Sequence, residues 1–278
     1  MHPDLITLTL PIVGRFTITS FGALMALAFL SGYAVIRLEL KRHDGDPNLA
    51  ADILLGALIG GILGAKLYYM LLYWDRTAAD PLHAILARGG LVFYGGLIGG
   101  FLGVVFILIR RKVSVAFGAD LCAPGLALAY GVGRIGCFLV GDDYGRPTES
   151  WVGMAFPRGI PSTTAGNLRA FGAPVEAGLP DDMLLRVHPT QLYETGLSLL
   201  IFFILWKLRR RPAQAGWLFA VWLVFAGAER LFVEVFRAKD DRFFGPFTLA
   251  QVLSLVLIGI GAYLVRRLAT VRPAAASG

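Results

Sequence analysis

Apolar residues run along most of this chain in blocks long enough to cross a bilayer, and polar residues collect in the short stretches between them. A run of about twenty apolar residues spans the hydrocarbon core as one helix. The pattern predicts seven spans, at 17–37, 52–73, 89–109, 118–140, 189–207, 214–236 and 248–266. The expected fold class is therefore all-α, a polytopic helical membrane protein built as a single transmembrane domain over 1–278. One polar stretch stands apart. Residues 141–187 are rich in Gly, Pro, Ser and Thr and include Trp151, Phe156 and Phe171. That is too long for a simple connector, so a small extracytoplasmic cap is expected there.

Glycine spacing predicts how the helices pack. Gly56, Gly60 and Gly64 recur at every fourth position of the second span, and Gly96 with Gly100 and Gly99 with Gly103 do so in the third. Small residues at that spacing let backbones approach closely in lipid.

Charge sets the orientation. Basic clusters follow alternate spans: Arg37, Lys41 and Arg42; Arg110, Arg111 and Lys112; Lys207, Arg209, Arg210 and Arg211; Arg266 and Arg267. The loop 74–88 balances Asp75 and Asp80 against Arg76 and Arg88. This places the N-terminus outside and the C-terminus in the cytoplasm. Met1, His2, Pro3 and Asp4 lack the basic region of a signal peptide, so the first span is expected to remain. The net charge of +7 is read as an insertion signal, not as a nucleic-acid footprint, because the basic residues border spans. The tail Pro273 to Gly278 is of low complexity.

Candidate chemistry lies in polar residues that fall inside spans. Arg134, in Gly133-Arg134-Ile135-Gly136, sits where a charge costs about 2.5–3.5 kcal/mol on insertion scales. Asp142, Asp143 and Arg146 follow where that span surfaces, which together reads as an anion site at the edge of the bilayer. Glu229, Arg230, Glu234 and Arg237 lie in or beside the sixth span, and 230, 234 and 237 share a helix face. The run His188-Pro189-Thr190-Gln191-Leu192-Tyr193-Glu194 opens the fifth, and Tyr94 lies among glycines in the third. Lys66 is either a further buried cation or a snorkelling side chain. Several cations with few carboxylates at similar depth suit a lipid phosphate, since guanidinium forks match phosphate oxygens.

No metal-ligand spacing is present, the four histidines (His2, His43, His83 and His188) are dispersed, and no cofactor motif appears. Cys122 and Cys137 fall 15 residues apart on one predicted helix. A rise of about 22 Å separates them, too far for a disulfide.

Taken together, these motifs resemble bacterial prolipoprotein diacylglyceryl transferases. The likeness rests on Gly133 to Gly136 with Phe138 and Gly141, on His188 to Glu194, on Arg230 to Arg237, on the Gly-Gly-Leu run of the third span and on Gln251 to Ser254, in order along nearly the whole chain. It implies an inner-membrane enzyme that moves the diacylglyceryl group of phosphatidylglycerol to the lipobox cysteine of preprolipoprotein signal peptides, with no cofactor and no protein nucleophile. The implied phosphatidylglycerol contacts are Gly133, Arg134, Arg230 and Arg237. The implied catalytic set is Arg230, Glu234, Asp142, Tyr94 and His188. This chain departs from the family at several places. Tyr94 stands where the family has a histidine proposed as base, and Cys137 and Val140 stand where it has asparagines. Asp142 replaces a glutamate, and Phe21 and Ala226 replace tyrosines. Glu234 or Asp142 is then the expected base. The competing expectation is an anion or lipid transporter, because cations in glycine-rich helices also suit a transport pathway.

Overall fold

The computed structural model describes residues 4–10, 14–87, 89–238, 242–244 and 247–269. Met1 to Pro3, Arg88 and the tail Pro273 to Gly278 lie outside the described residues, as does the side chain of His83. The order of elements is β1 (Asp4–Leu10), β2 (Gly14–Thr19), α1 (Ser20–Arg42), α2 (Leu49–Leu72), α3 (Trp74–Ala79), α4 (Pro81–Leu86), α5 (Phe93–Arg110), α6 (Val115–Val140), α7 (Ala165–Ala170), α8 (Thr190–Leu208), α9 (Trp217–Glu234), β3 (Arg242–Phe244), β4 (Phe247–Thr248) and α10 (Leu249–Leu268).

The chain is a multi-pass membrane protein. Among the described residues, α1, α2, α5, α6, α8 and α10 are long and apolar enough to cross a membrane. The sixth expected span, 214–236, coincides with α9, 18 residues long. It carries three charged residues, Glu229, Arg230 and Glu234, and the last two enter the site described below. Two short antiparallel hairpins, β1–β2 and β3–β4, were not foreseen. They fall almost wholly outside the expected spans, and strands of two to seven residues leave no period long enough to register.

The chain divides into two compact units, residues 33–121 and residues 1–32 with 122–278, with the divisions falling inside α1 and α6. In the unit 33–121, α2 and α5 pack backbone to backbone. A Cβ at Gly60 would strike the carbonyl of Gly99, and one at Gly103 would strike that of Gly56. Of the two expected pairs the register uses Gly99 with Gly103, extended by Gly95, and not Gly96 with Gly100. A Cβ at Gly96 would meet only ordinary contacts at 3.5 Å. Residues four apart form one ridge, and only one of the two offset glycine ridges can face the partner helix. Lys66 lies in α2. Its Nζ donates to the carbonyls of Ala87 at 2.7 Å and Gly89 at 2.9 Å, closing the loop before α5.

In the other unit, Ala123, Ala127, Ile201, Leu205, Trp217, Leu218 and Val221 form a core between α6, α8 and α9. α10 lies close along α9, since a Cβ at Gly227 would come within 2.7 Å of the Ser254 carbonyl. A capping box opens α10: Thr248 Oγ1 accepts from the Gln251 amide and Gln251 Oε1 accepts from the Thr248 amide.

Residues 141–187 fold on a core of their own. Tyr144, Phe156, Leu168, Ala173 and Val187 are buried together, with Phe138 of α6 and Ala238 packed against them. Isolated bridges tie the segment together, at Pro147 with Val187, Met154 with Val187 and Thr164 with Leu184. Tyr144 donates to the carbonyls of Pro161 and Ser162, and burial pushes its hydroxyl pKa up to about 12.

Candidate functional site

The site lies where α6 ends, α8 begins and α9 ends, all within one unit. Gly133 leaves open space beside the Arg134 backbone. Gly136 brings α6 to the start of α1, where a Cβ would come within 3.1 Å of Leu24 Cβ. Arg134 thus emerges from a helix with room on one flank and a packed neighbour on another.

Arg134 pairs with two carboxylates. Its Nη2 meets Glu194 of α8, and its Nη1 lies 2.9 Å from Asp143 Oδ2. Nη1 also approaches Cys137 Sγ at 3.5 Å. Glu194 accepts from the Tyr130 hydroxyl at 2.7 Å. Asp143 is shared: its Oδ1 lies 2.9 Å from Arg237 Nη2, and Arg237 Nη1 donates to its Oδ2 at 3.3 Å. Arg237 in turn faces Glu234 at 3.7 Å, and Glu234 pairs with Arg230 at 2.7 Å. Thr248 donates to Glu234 Oε1 at 2.8 Å. The result is one continuous chain of charge, Arg134–Asp143–Arg237–Glu234–Arg230, with three guanidinium groups along it. Nε of Arg134 and Nη1 of Arg230 are buried without a hydrogen-bond partner among the described residues.

The run His188 to Glu194 supplies the scaffold. Thr190 Oγ1 donates to the Asp143 carbonyl at 2.8 Å, and Gln191 Nε2 donates to the Asp142 carbonyl at 2.5 Å. The backbone of His188 exchanges hydrogen bonds with the turn, accepting from Gly145 and donating to Arg146. The heptapeptide therefore holds the 142–146 turn with His188, Thr190 and Gln191 and Arg134 with Glu194. Its imidazole is occupied elsewhere: Nδ1 lies 3.0 Å from the Tyr193 hydroxyl, and the ring packs edge-on to Phe236. Burial, with the charge of Arg146, lowers the His188 pKa.

The two aspartates differ. Burial opposes ionisation of Asp143, but the guanidinium groups of Arg237 and Arg134 outweigh it and hold the carboxyl below its ordinary range. Burial lifts Asp142 above that range, with the hydrogen bond from Cys137 working against it and the charge of Asp143 with it. Its Oδ1 is buried without a hydrogen-bond partner among the described residues. A cavity of about 230 Å³ opens beside both, walled also by Tyr144, Ile160, Pro161, Phe171 and Arg237.

Of the residues expected from sequence, Gly133, Arg134, Asp142, Arg230, Glu234 and Arg237 come together here, with His188 at the margin. Tyr94 opens α5 in the unit 33–121 and is half exposed there. Sequence reading gave no role to Tyr130, nor to Asp143 as the link between arginines. A further buried carboxyl on α9, Glu229, accepts from Ser198 at 2.6 Å.

The chain matches the family described as Prolipoprotein diacylglyceryl transferase over residues 8–267. The chain belongs to that family. Among curated relatives, a Phosphatidylglycerol--prolipoprotein diacylglyceryl transferase of Geobacter sulfurreducens is 32% identical over 90% of this chain and 90% of the relative. Those of Bordetella avium, at 34% over 87% of each, and of Nostoc sp., at 32% over 90% of this chain and 84% of the relative, carry the same name. As a member of the prolipoprotein diacylglyceryl transferase family, the protein is a transferase, and the transporter expectation finds no support in these matches.

Proposed function

We propose that this protein transfers the diacylglyceryl group of phosphatidylglycerol to the lipobox cysteine of a preprolipoprotein, releasing glycerol phosphate. The observation that carries the reading is the line of three guanidinium groups, Arg134, Arg237 and Arg230, in a chain of this family. Arg134 and Arg230 each keep a buried N–H that makes no hydrogen bond within the described residues, and both N–H groups suit phosphate oxygens.

The substrate's own cysteine is the nucleophile. Asp142, lifted above the ordinary carboxylate range, accepts the thiol proton. The sulfur attacks the glyceryl carbon bonded to the phosphate oxygen. A C–S bond forms, the C–O bond breaks, and its electron pair stays on the departing phosphate, where Arg134 and Arg230 stabilise the growing charge. Arg237 binds the headgroup alongside them, and Gly133 leaves space for it. Glu234 suits positioning better than proton transfer, because it already holds Arg230, Arg237 and the Thr248 hydroxyl. His188 fixes the 142–146 turn. Tyr94 carries a phenol, which suits hydrogen-bond donation rather than base catalysis.

The helix ends support an orientation. Basic residues occupy the last turns of α1, α5, α8 and α10, whereas those of α2, α6 and α9 have none. This alternation supports a cytoplasmic C-terminus and an external N-terminus in the bacterial inner membrane. On that reading 141–187 forms an extracytoplasmic cap on a single catalytic domain.

Incubating the purified protein with labelled phosphatidylglycerol and a lipobox peptide tests the reading. The expected result is a mass gain of one diacylglyceryl group on the cysteine with matching release of glycerol phosphate. Full activity of an Arg134→Ala protein would overturn the assignment of that arginine.

A further inference from the structure

We propose that Asp143 occupies the seat of the lipid phosphate between Arg134 and Arg237 and must swing out for the headgroup to bind, so that this side chain sets the affinity for anionic lipid. The inference rests on the function proposed above and adds a residue to it.

Four observations lead there. Both carboxylate oxygens of Asp143 are engaged, one by Arg134 and one by Arg237, each at 2.9 Å. This two-guanidinium arrangement is how a phosphodiester would present its two free oxygens. Secondly, each arginine has another internal counter-charge, Glu194 for Arg134 and Glu234 for Arg237. Both of those carboxylates are almost fully buried and belong to helices, whereas Asp143 sits in a turn and its side chain is 28% exposed. It is the carboxylate of the set that is free to leave. Thirdly, Asp143 has a φ of 53°, in the left-handed region that few residues other than glycine adopt. The turn is pinned in that conformation through carbonyls, by Thr190 and Gln191, so the aim of the side chain comes from the backbone and its release leaves the turn in place. Finally, the cavity of about 230 Å³ borders both Asp143 and Arg237, which gives an incoming headgroup access and the displaced carboxylate a destination.

Charge balance gives the same answer. Three cations face three carboxylates, Asp143, Glu194 and Glu234, so the network is neutral with its own residues alone. An arriving phosphate adds a negative charge, and the turn carboxylate is the one that can rotate away from the guanidinium groups.

The test uses the full chain in detergent micelles, with dioctanoyl phosphatidylglycerol as probe. Binding is measured by calorimetry, and kcat and KM by transfer to a lipobox peptide. Asp143→Asn keeps the shape and removes the competing charge. Its dissociation constant and KM are expected to fall about tenfold, the scale of one charge-assisted hydrogen bond regained, without a rise in kcat. Asp143→Ser is expected to do the same, and thermal unfolding of both variants establishes that they are folded. Weaker binding in the folded variants would overturn the proposal and make Asp143 a positioning residue. Unfolding of both would overturn it too, since Glu194 and Glu234 are argued to hold the arginines without it. If the unaltered protein neither binds the lipid nor transfers from it, the failure lies with the proposed function instead.

Discussion

Replacing Glu194 by Gln removes one charge and little else. Glu194 is fully buried, pairs with Arg134 and accepts from Tyr130 at 2.7 Å. The amide oxygen of glutamine can still accept that hydroxyl, so the loss is concentrated on Arg134, which keeps only Asp143 as a counter-charge. Removing one partner of a buried ion pair costs up to about 3–5 kcal/mol, and Asp143, 28% exposed, compensates Arg134 only in part. Tyr130→Phe removes one hydrogen bond to a charged acceptor and leaves the pair intact, a loss of about 1.5–3 kcal/mol. The expected order of stability is therefore wild type, then Tyr130→Phe, then Glu194→Gln. Adding Arg134→Met to Glu194→Gln should restore part of the loss, since no uncompensated charge then remains, although transfer activity is gone. Denaturant titration in mixed micelles, followed by tryptophan fluorescence, measures all four proteins. Glu194→Gln within about 1 kcal/mol of wild type, or a double variant less stable than Glu194→Gln alone, would refute the argument from buried charge.

Gly99→Val should separate α2 from α5, because its Cβ would strike the Gly60 carbonyl, whereas Gly96→Ala should be tolerated with its Cβ 3.5 Å from that of Ala65; comparing their unfolding midpoints checks the register. Acid should slow transfer through a pKa above the ordinary carboxylate range, because Asp142 must be unprotonated to accept the thiol proton and its pKa is raised; Asp143, whose pKa is lowered, stays ionised there, and an acid limb that persists unchanged in Asp142→Asn would exclude Asp142 as the base. Tyr144→Phe takes this donor from the Pro161 carbonyl and leaves the Ser162 carbonyl only that of Asn167, with an expected loss of about 1 kcal/mol read as faster proteolysis within 141–187.

The spans were legible because the apolar blocks are long, and α9 was placed correctly despite its charges. Arg134, Arg230, Glu234 and Arg237 were visible as charges inside spans, where insertion cost makes each one conspicuous. Asp143 was not assigned its role because a carboxylate just beyond a helix end looks like any exposed loop residue. Only the left-handed turn aims it at two arginines, and Thr190 and Gln191, which hold that turn, lie 47 residues beyond Asp143 and 49 beyond Asp142, whose carbonyls they bond. The run His188 to Glu194 was singled out for its polarity. What His188 contributes is backbone pairing, which side-chain identity does not announce, while Thr190 and Gln191 reach carbonyls whose position only the fold supplies. The offset between the Gly95 and Gly96 ridges depends on helix rotation, and one sequence with two equivalent glycine series cannot rank them.

Gly145 has the most exposed failure mode in this arrangement. Its amide and that of Arg146 stitch the turn to His188 and Phe236, and a methyl group there would collide with the Phe236 carbonyl and crowd Thr190 Cγ2 at 2.9 Å. The seam that aligns the arginines is thus written in main-chain atoms and tolerates drift in most surrounding side chains. A single added carbon at this one position would pry the seam apart, and the catalytic geometry would be lost with every charged residue still present.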